Sequence, residues 1–144
     1  MIDLVMVGLS SRNISGCFLV LHGLVHGLLA SSARPDVPGA GAWTLFTAHS
    51  WALDRLGTAP AASRLVGLGL LILVVAGFGL AGAGELGAGG LAKAWRWLAL
   101  GAALLSLGLM ILFWHPLMGP GAVIDVVIII AFTVEWKFVK GILS

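Results

Sequence analysis

Charge is scarce in this sequence. Only 10% of its 144 residues are charged. A soluble domain carries about 25%, so too few charges are available to cover a water-facing surface. The net charge is +2, too small to hold a polyanion, and no basic stripe with interleaved aromatics occurs. Nucleic acid is therefore excluded as a partner. Cysteine is nearly absent: Cys17 stands alone, so no intrachain disulfide can form. Its place in an apolar run suggests a small buried residue. There is no CxxC pair, P-loop, HExxH or GxSxG motif. There is no regular arginine series of the voltage-sensing kind and no selectivity-filter sequence. The start, MIDLVMVGLSSRN, has no basic region and no cleavage pattern. The first spanning helix is expected to act as its own insertion signal.

What is abundant is apolar. Hydrophobic residues make up 60% of the chain, and the mean hydropathy is +1.09. The bilayer is the expected solvent for most of the surface. A spanning helix needs about 20 apolar residues, and four stretches of the sequence suit that need: Ile14 to Ala30, Leu65 to Gly84, Trp95 to Trp114 and Gly121 to Phe138. The expected fold is all-α, a single domain over residues 1–144. Its four transmembrane helices form an antiparallel bundle. Residues 1–9 are apolar but too short to span; two readings are open, a segment at the interface or a backward extension of the first helix, and Arg12 and Asn13, which interrupt the run, favour the interface.

Only the first connection is long. It opens with the turn-rich Arg34-Pro35-Asp36-Val37-Pro38-Gly39, followed by Ala42 to Leu56, which suits an interfacial helix or loop. Trp43 and Trp51 beside charged residues fit the membrane–water boundary, as do Trp95, Trp97, Trp114 and Trp136. The short link His115-Pro116-Leu117-Met118-Gly119-Pro120 makes the last two helices antiparallel neighbours.

Four spans place both termini on one face. That face carries Arg12, Lys93, Arg96, Lys137 and Lys140; the other carries Arg34, Arg55 and Arg64. The bias favours a multi-pass protein of the cell membrane with cytoplasmic termini. The chain has 21 glycines, which let helices approach closely where lipid gives no hydrophobic drive. Gly23 and Gly27 form a GxxxG, read here as packing within the bundle.

Ionisable groups inside hydrocarbon are expensive and therefore informative. His22 and His26 lie in the first helix, Asp125 early in the fourth, His115 at the end of the third and His49 in the long connection. Counting from the helix ends puts all five in the outer half of the membrane. His22 and His26, at i and i+4, share a helix face. With His115, His49 or Asp125 they could ligate a transition metal, and two opposed histidines could hold haem. His22 or His26 could also pair with Asp125 as acid and base. His26, His49, Trp51, His115 and Asp125 could line a ligand pocket. The plain alternative is that the histidines hydrogen-bond across the bundle. Glu85 is expected to meet solvent at the end of the second helix. Glu135, with Lys137 and Lys140, is expected to reach the headgroups.

HGLVHG in the first helix, HSWAL in the connection, GFGLAGAG ending the second helix, LSLGLMILFW closing the third and VID early in the fourth occur in that order. The order resembles that of a set of small four-helix membrane proteins of bacteria and archaea. The resemblance spans most of the chain and implies the same topology, without implying an activity.

The leading expectation is a small binding or accessory membrane protein with a polar His/Asp pocket in the outer half. Its partners would be membrane lipids, other membrane subunits or further copies of itself. Three alternatives stay open: an intramembrane acid–base enzyme acting on an apolar substrate, a haem- or metal-binding redox subunit, and a packing subunit of a larger complex.

Overall fold

The computed structural model describes residues 11–31, 50–114 and 118–143, with side chains described for 11–28, 50–114 and 118–134. Five α-helices lie within them: α1 Ser11–Ser31, α2 Trp51–Arg55, α3 Pro60–Glu85, α4 Trp95–Leu112 and α5 Gly119–Leu143. A 3-10 turn over Gly89–Lys93 links α3 to α4. No strand occurs among the described residues. The two middle long helices, Pro60–Glu85 and Trp95–Leu112, are long and apolar enough to cross a membrane.

The helix ends follow local chemistry. Pro60 opens α3 after an extended Ala59, where proline's missing N–H costs nothing and its φ already suits the helix. At the other end of α3, Gly87 N–H donates to Gly84 C=O at 3.0 Å and Ala88 N–H to Ala83 C=O at 2.9 Å. This is a Schellman closure, and Gly87 takes the positive φ of +100° that it requires. Ser50 caps α2 by accepting from Leu53 N–H, and its hydroxyl donates to Leu112 C=O at 2.5 Å. The indole of Trp51 donates to Ile111 C=O at 2.6 Å. Helix α2 thus satisfies carbonyls that the end of α4 would otherwise leave orphaned.

Arg12 and Asn13 lie in the first turn of α1, and the apolar residues 1–9 ahead of them lie outside the described residues. Of the interfacial segment expected over 42–56, only the part from Ser50 is described, and it forms the short helix α2.

The long helices pack α1 on α3, α3 on α4 and α4 on α5. Their shared core draws Leu19 from α1, Val74, Phe78 and Ala81 from α3, Ala99, Ala102 and Ala103 from α4, and Ile128 from α5. Small residues set the spacing. A Cβ on Gly77 would stand 2.9 Å from the Ala102 Cβ, and one on Gly23 would stand 2.9 Å from the Phe78 Cβ. Gly23 therefore packs within the chain, against α3, which is the role read for it in the sequence.

The surface is the reverse of the core. Leu28, Leu65, Ile72 and Val123 are each at least 64% exposed, whereas Ser63, Ser106 and Asp125 are fully buried. Cys17, expected inside, is exposed. It sits beside Phe18 on the outward face of α1, because Gly16, Leu19 and Gly23 take the inward one.

Glu85 is also a correction. It is 6% exposed rather than solvated. The Ser15 hydroxyl donates to its Oε1 at 3.0 Å, and the Arg12 guanidinium donates to its backbone carbonyl at 3.0 Å. The first turns of α1 thus clamp the last turn of α3.

Candidate functional site

Three ionisable side chains meet between α1 and α5. His22 and His26 are one helical turn apart, so both point inward from α1. Asp125 reaches them from the second turn of α5. His22 Nε2 is hydrogen-bonded to Asp125 Oδ1 at 2.9 Å. Asp125 thus pairs with His22 rather than with His26. The second carboxylate oxygen, Oδ2, is buried and has no hydrogen-bond partner among the described residues. His26 Nε2 is hydrogen-bonded to Ser106 Oγ of α4 at 3.2 Å. One potential donor atom from each of His22, His26 and Asp125 lies within 4.8 Å of the others.

Aromatic packing holds the imidazoles. The His22 ring meets the Phe78 ring edge-on at 4.8 Å, while His26 lies parallel to Phe78 at 6.2 Å. The two imidazoles stand at 79° to each other, 4.9 Å apart. Phe78 is fully buried, so it forms a rigid wall against which both rings are fixed. Rings this close on one helix face leave no space for a macrocycle between them, and so do not form an opposed axial pair for haem.

A cleft of about 360 Å³ opens beside this cluster, between α1 and the start of α5. His22 and His26 form its polar part. Phe18, Leu21 and Val25 of α1 line one side; Met110, Met118, Pro120, Gly121 and Ile124 line the other. Phe18, Leu21 and Val25 are also exposed on the outside of the molecule, so the cleft opens sideways through the helix wall. A Cβ on Gly121 would lie 4.0 Å from His26 Cε1; the absent side chain there keeps the approach to His26 open.

Of the residues singled out in the sequence, the structure brings His22, His26 and Asp125 together. Trp51 is elsewhere: exposed at the end of α4, with its indole bound to Ile111 C=O, and not lining the cleft. His49 and His115 lie outside the described residues, as do the side chains of Glu135, Trp136, Lys137 and Lys140. Trp97 and Trp114 are exposed, and Trp95 packs edge-on against Phe132 at 5.5 Å.

Ser106 and Phe78 were not legible as site residues. Ser106 is the only hydroxyl in α4, a signal that could have found it. Phe78 carries no such mark, because its role follows from helix pairing alone.

No protein-family model, no curated protein and no solved structure matches this chain.

Proposed function

We propose that this is a multi-pass integral membrane protein, a four-helix bundle that binds a small, lipid-like molecule in the cleft between α1 and α5. The observation that carries the reading is the cleft itself: about 360 Å³, apolar-walled, with two buried imidazoles at its inner end. Ligand sites are typically apolar cavities with a few convergent polar groups. The apolar walls suit an acyl or isoprenoid body. His22 and His26, backed by Asp125 and Ser106, suit a polar head that can donate or accept a hydrogen bond.

Three features support the bilayer. Only 33% of the apolar windows in α3 and α4 is buried, whereas the core helix of a soluble protein is covered on most sides. The polar groups cluster inside while leucine, isoleucine and valine face out. In water that surface would be a large aggregation-prone patch; in lipid it is the expected one. Helices α1 and α5, of 21 and 25 residues, extend about 31 and 37 Å at 1.5 Å per residue, which matches a hydrocarbon core of about 30 Å. With four spans and the basic bias toward the terminal face, both termini lie in the cytoplasm and the cleft lies toward the outer half.

Native mass spectrometry of the protein released from a mild detergent tests the binding. One lipid-mass adduct per chain is expected, with a matching lipid recovered by solvent extraction. A chain that sheds all adducts at the activation energy that strips detergent would rule the reading out. Reporter fusions at each end test the topology, with cytoplasmic signals expected at both.

The hydrogen-bonded His22–Asp125 pair favours a second reading, intramembrane acid–base catalysis. A carboxylate fixes the orientation of an imidazole and stabilises its protonated form. In that case Asp125→Asn would keep the bound lipid but abolish its turnover.

A further inference from the structure

Two imidazoles and a carboxylate are held in one place, each at most 6% exposed, with their donor atoms within 4.8 Å of one another. We propose that His22, His26 and Asp125 hold one divalent transition-metal ion of the zinc class, with a fourth position open to the cleft. The position of that open site rests on the cleft reading above; the three-residue ligand set does not.

The donor chemistry selects the ion. Nitrogen and carboxylate oxygen suit a borderline cation such as Zn²⁺, with Zn–N and Zn–O distances of about 2.0–2.2 Å. Calcium and magnesium prefer shells made mostly of oxygen. Ligands in a tetrahedral shell of that size stand about 3.4 Å apart, so side-chain adjustment of about an ångström closes the set. The i, i+4 spacing presents both imidazoles from one face of a rigid helix.

The carboxylate supplies an independent observation. Asp125 is fully buried, yet its Oδ2 has no hydrogen-bond partner among the described residues. A buried oxygen of this kind is costly without a partner, and a cation beside it would meet that need. Ser106 orients His26 from behind, as outer-shell groups do for metal-bound histidines. Phe78 walls the cluster on the α3 side, so further ligands must come from the cleft. Three protein ligands with an oxygen donor such as water in the fourth position is the usual arrangement of an open zinc site.

The test uses the full chain in detergent, carrying a tag without histidine, titrated with Co²⁺ and then with Zn²⁺. Expected are one Co²⁺ per chain, intense visible absorption of the four-coordinate kind, and loss of that absorption when Zn²⁺ is added. Asp125→Asn and His26→Gln should each weaken binding at least about tenfold with helicity by circular dichroism unchanged. Cys17→Ser should leave the spectrum as it was. Wild-type protein loaded with Zn²⁺ should give an X-ray absorption spectrum of two imidazoles and two oxygens. This last readout needs no variant to fold. Failure to bind stoichiometric Co²⁺, bands that survive both substitutions, or a shell containing sulfur or six oxygens would each overturn the proposal. Cobalt binding in a chain stripped of lipid would leave the metal site standing and count only against the lipid ligand. A lipid adduct on a chain that binds no metal would do the reverse.

Discussion

Gly82 of α3 lies so close to Gly16 of α1 that a Cβ on Gly82 would stand 2.6 Å from the Gly16 carbonyl oxygen. A backbone atom cannot move aside as a flexible side chain can. Gly82→Ala should therefore push α1 away from α3 and cost about 1–3 kcal/mol. A Cβ at Gly79 would meet nothing within 4 Å, so Gly79→Ala should be neutral or slightly stabilising, since alanine favours a helix by up to about 1 kcal/mol over glycine. Denaturation in mixed micelles, followed by circular dichroism, measures both.

The His22–Asp125 pair should behave as a unit. His22→Leu strands a buried carboxyl and should cost about 3–5 kcal/mol. Asp125→Leu should also destabilise. The double variant should lose less than the sum of the two, with a coupling of about 0.5–3 kcal/mol. Strict additivity in the same denaturation experiment would mean that the two side chains do not interact.

The cleft can be filled from Gly121. Its Cβ would have room, with Met110 Sδ the nearest atom at 3.6 Å, but longer side chains would project toward His26. Gly121→Leu should fold normally and lower the occupancy of the lipid adduct about tenfold, which corresponds to about 1.4 kcal/mol. Gly121→Ala should change it little. Native mass spectrometry of the two variants side by side reads the difference.

Cys17 offers a probe that needs no engineering. It is exposed on α1, so in water it would react freely with maleimides. Six residues into a spanning helix it would lie about 9 Å along the axis, among lipid chains. In liposomes a charged maleimide should label it slowly and an apolar one quickly, with both reacting fully after unfolding in dodecyl sulfate. Equal prompt labelling by both would argue against a lipid-facing α1.

Much of the site could be read before the structure because it follows from counting. His22 and His26 share a face by helical geometry, and the distance of Asp125 from the start of its helix matches that of His26 from the end of α1, although its hydrogen bond goes to His22, one turn away. Glu85 could not be read this way. Its burial depends on Arg12 and Ser15 coming alongside the end of α3, a relation between helices that hydropathy does not encode. Cys17 failed for a different reason. In a molecule whose large apolar residues face outward, low polarity no longer signals burial, and the inward face of α1 is set by Gly16, Leu19 and Gly23. Helix α2 was legible as a helix near Trp51, but its task of capping α4 through Ser50 was not, since the carbonyls it satisfies lie some 60 residues away.

The sideways mouth of the cleft changes what concentration means for this protein. One end of the α1–α3 pair is fastened by Arg12, Ser15 and Glu85, and the cleft is lined by Leu21, Val25 and Ile124, partway along the helices. A molecule arriving there would come from within the proposed bilayer rather than from water. Occupancy would then follow the ligand's mole fraction among lipids, so a compound almost insoluble in water could saturate the site. Two ligands of equal intrinsic fit would be ranked by how strongly each partitions into the membrane.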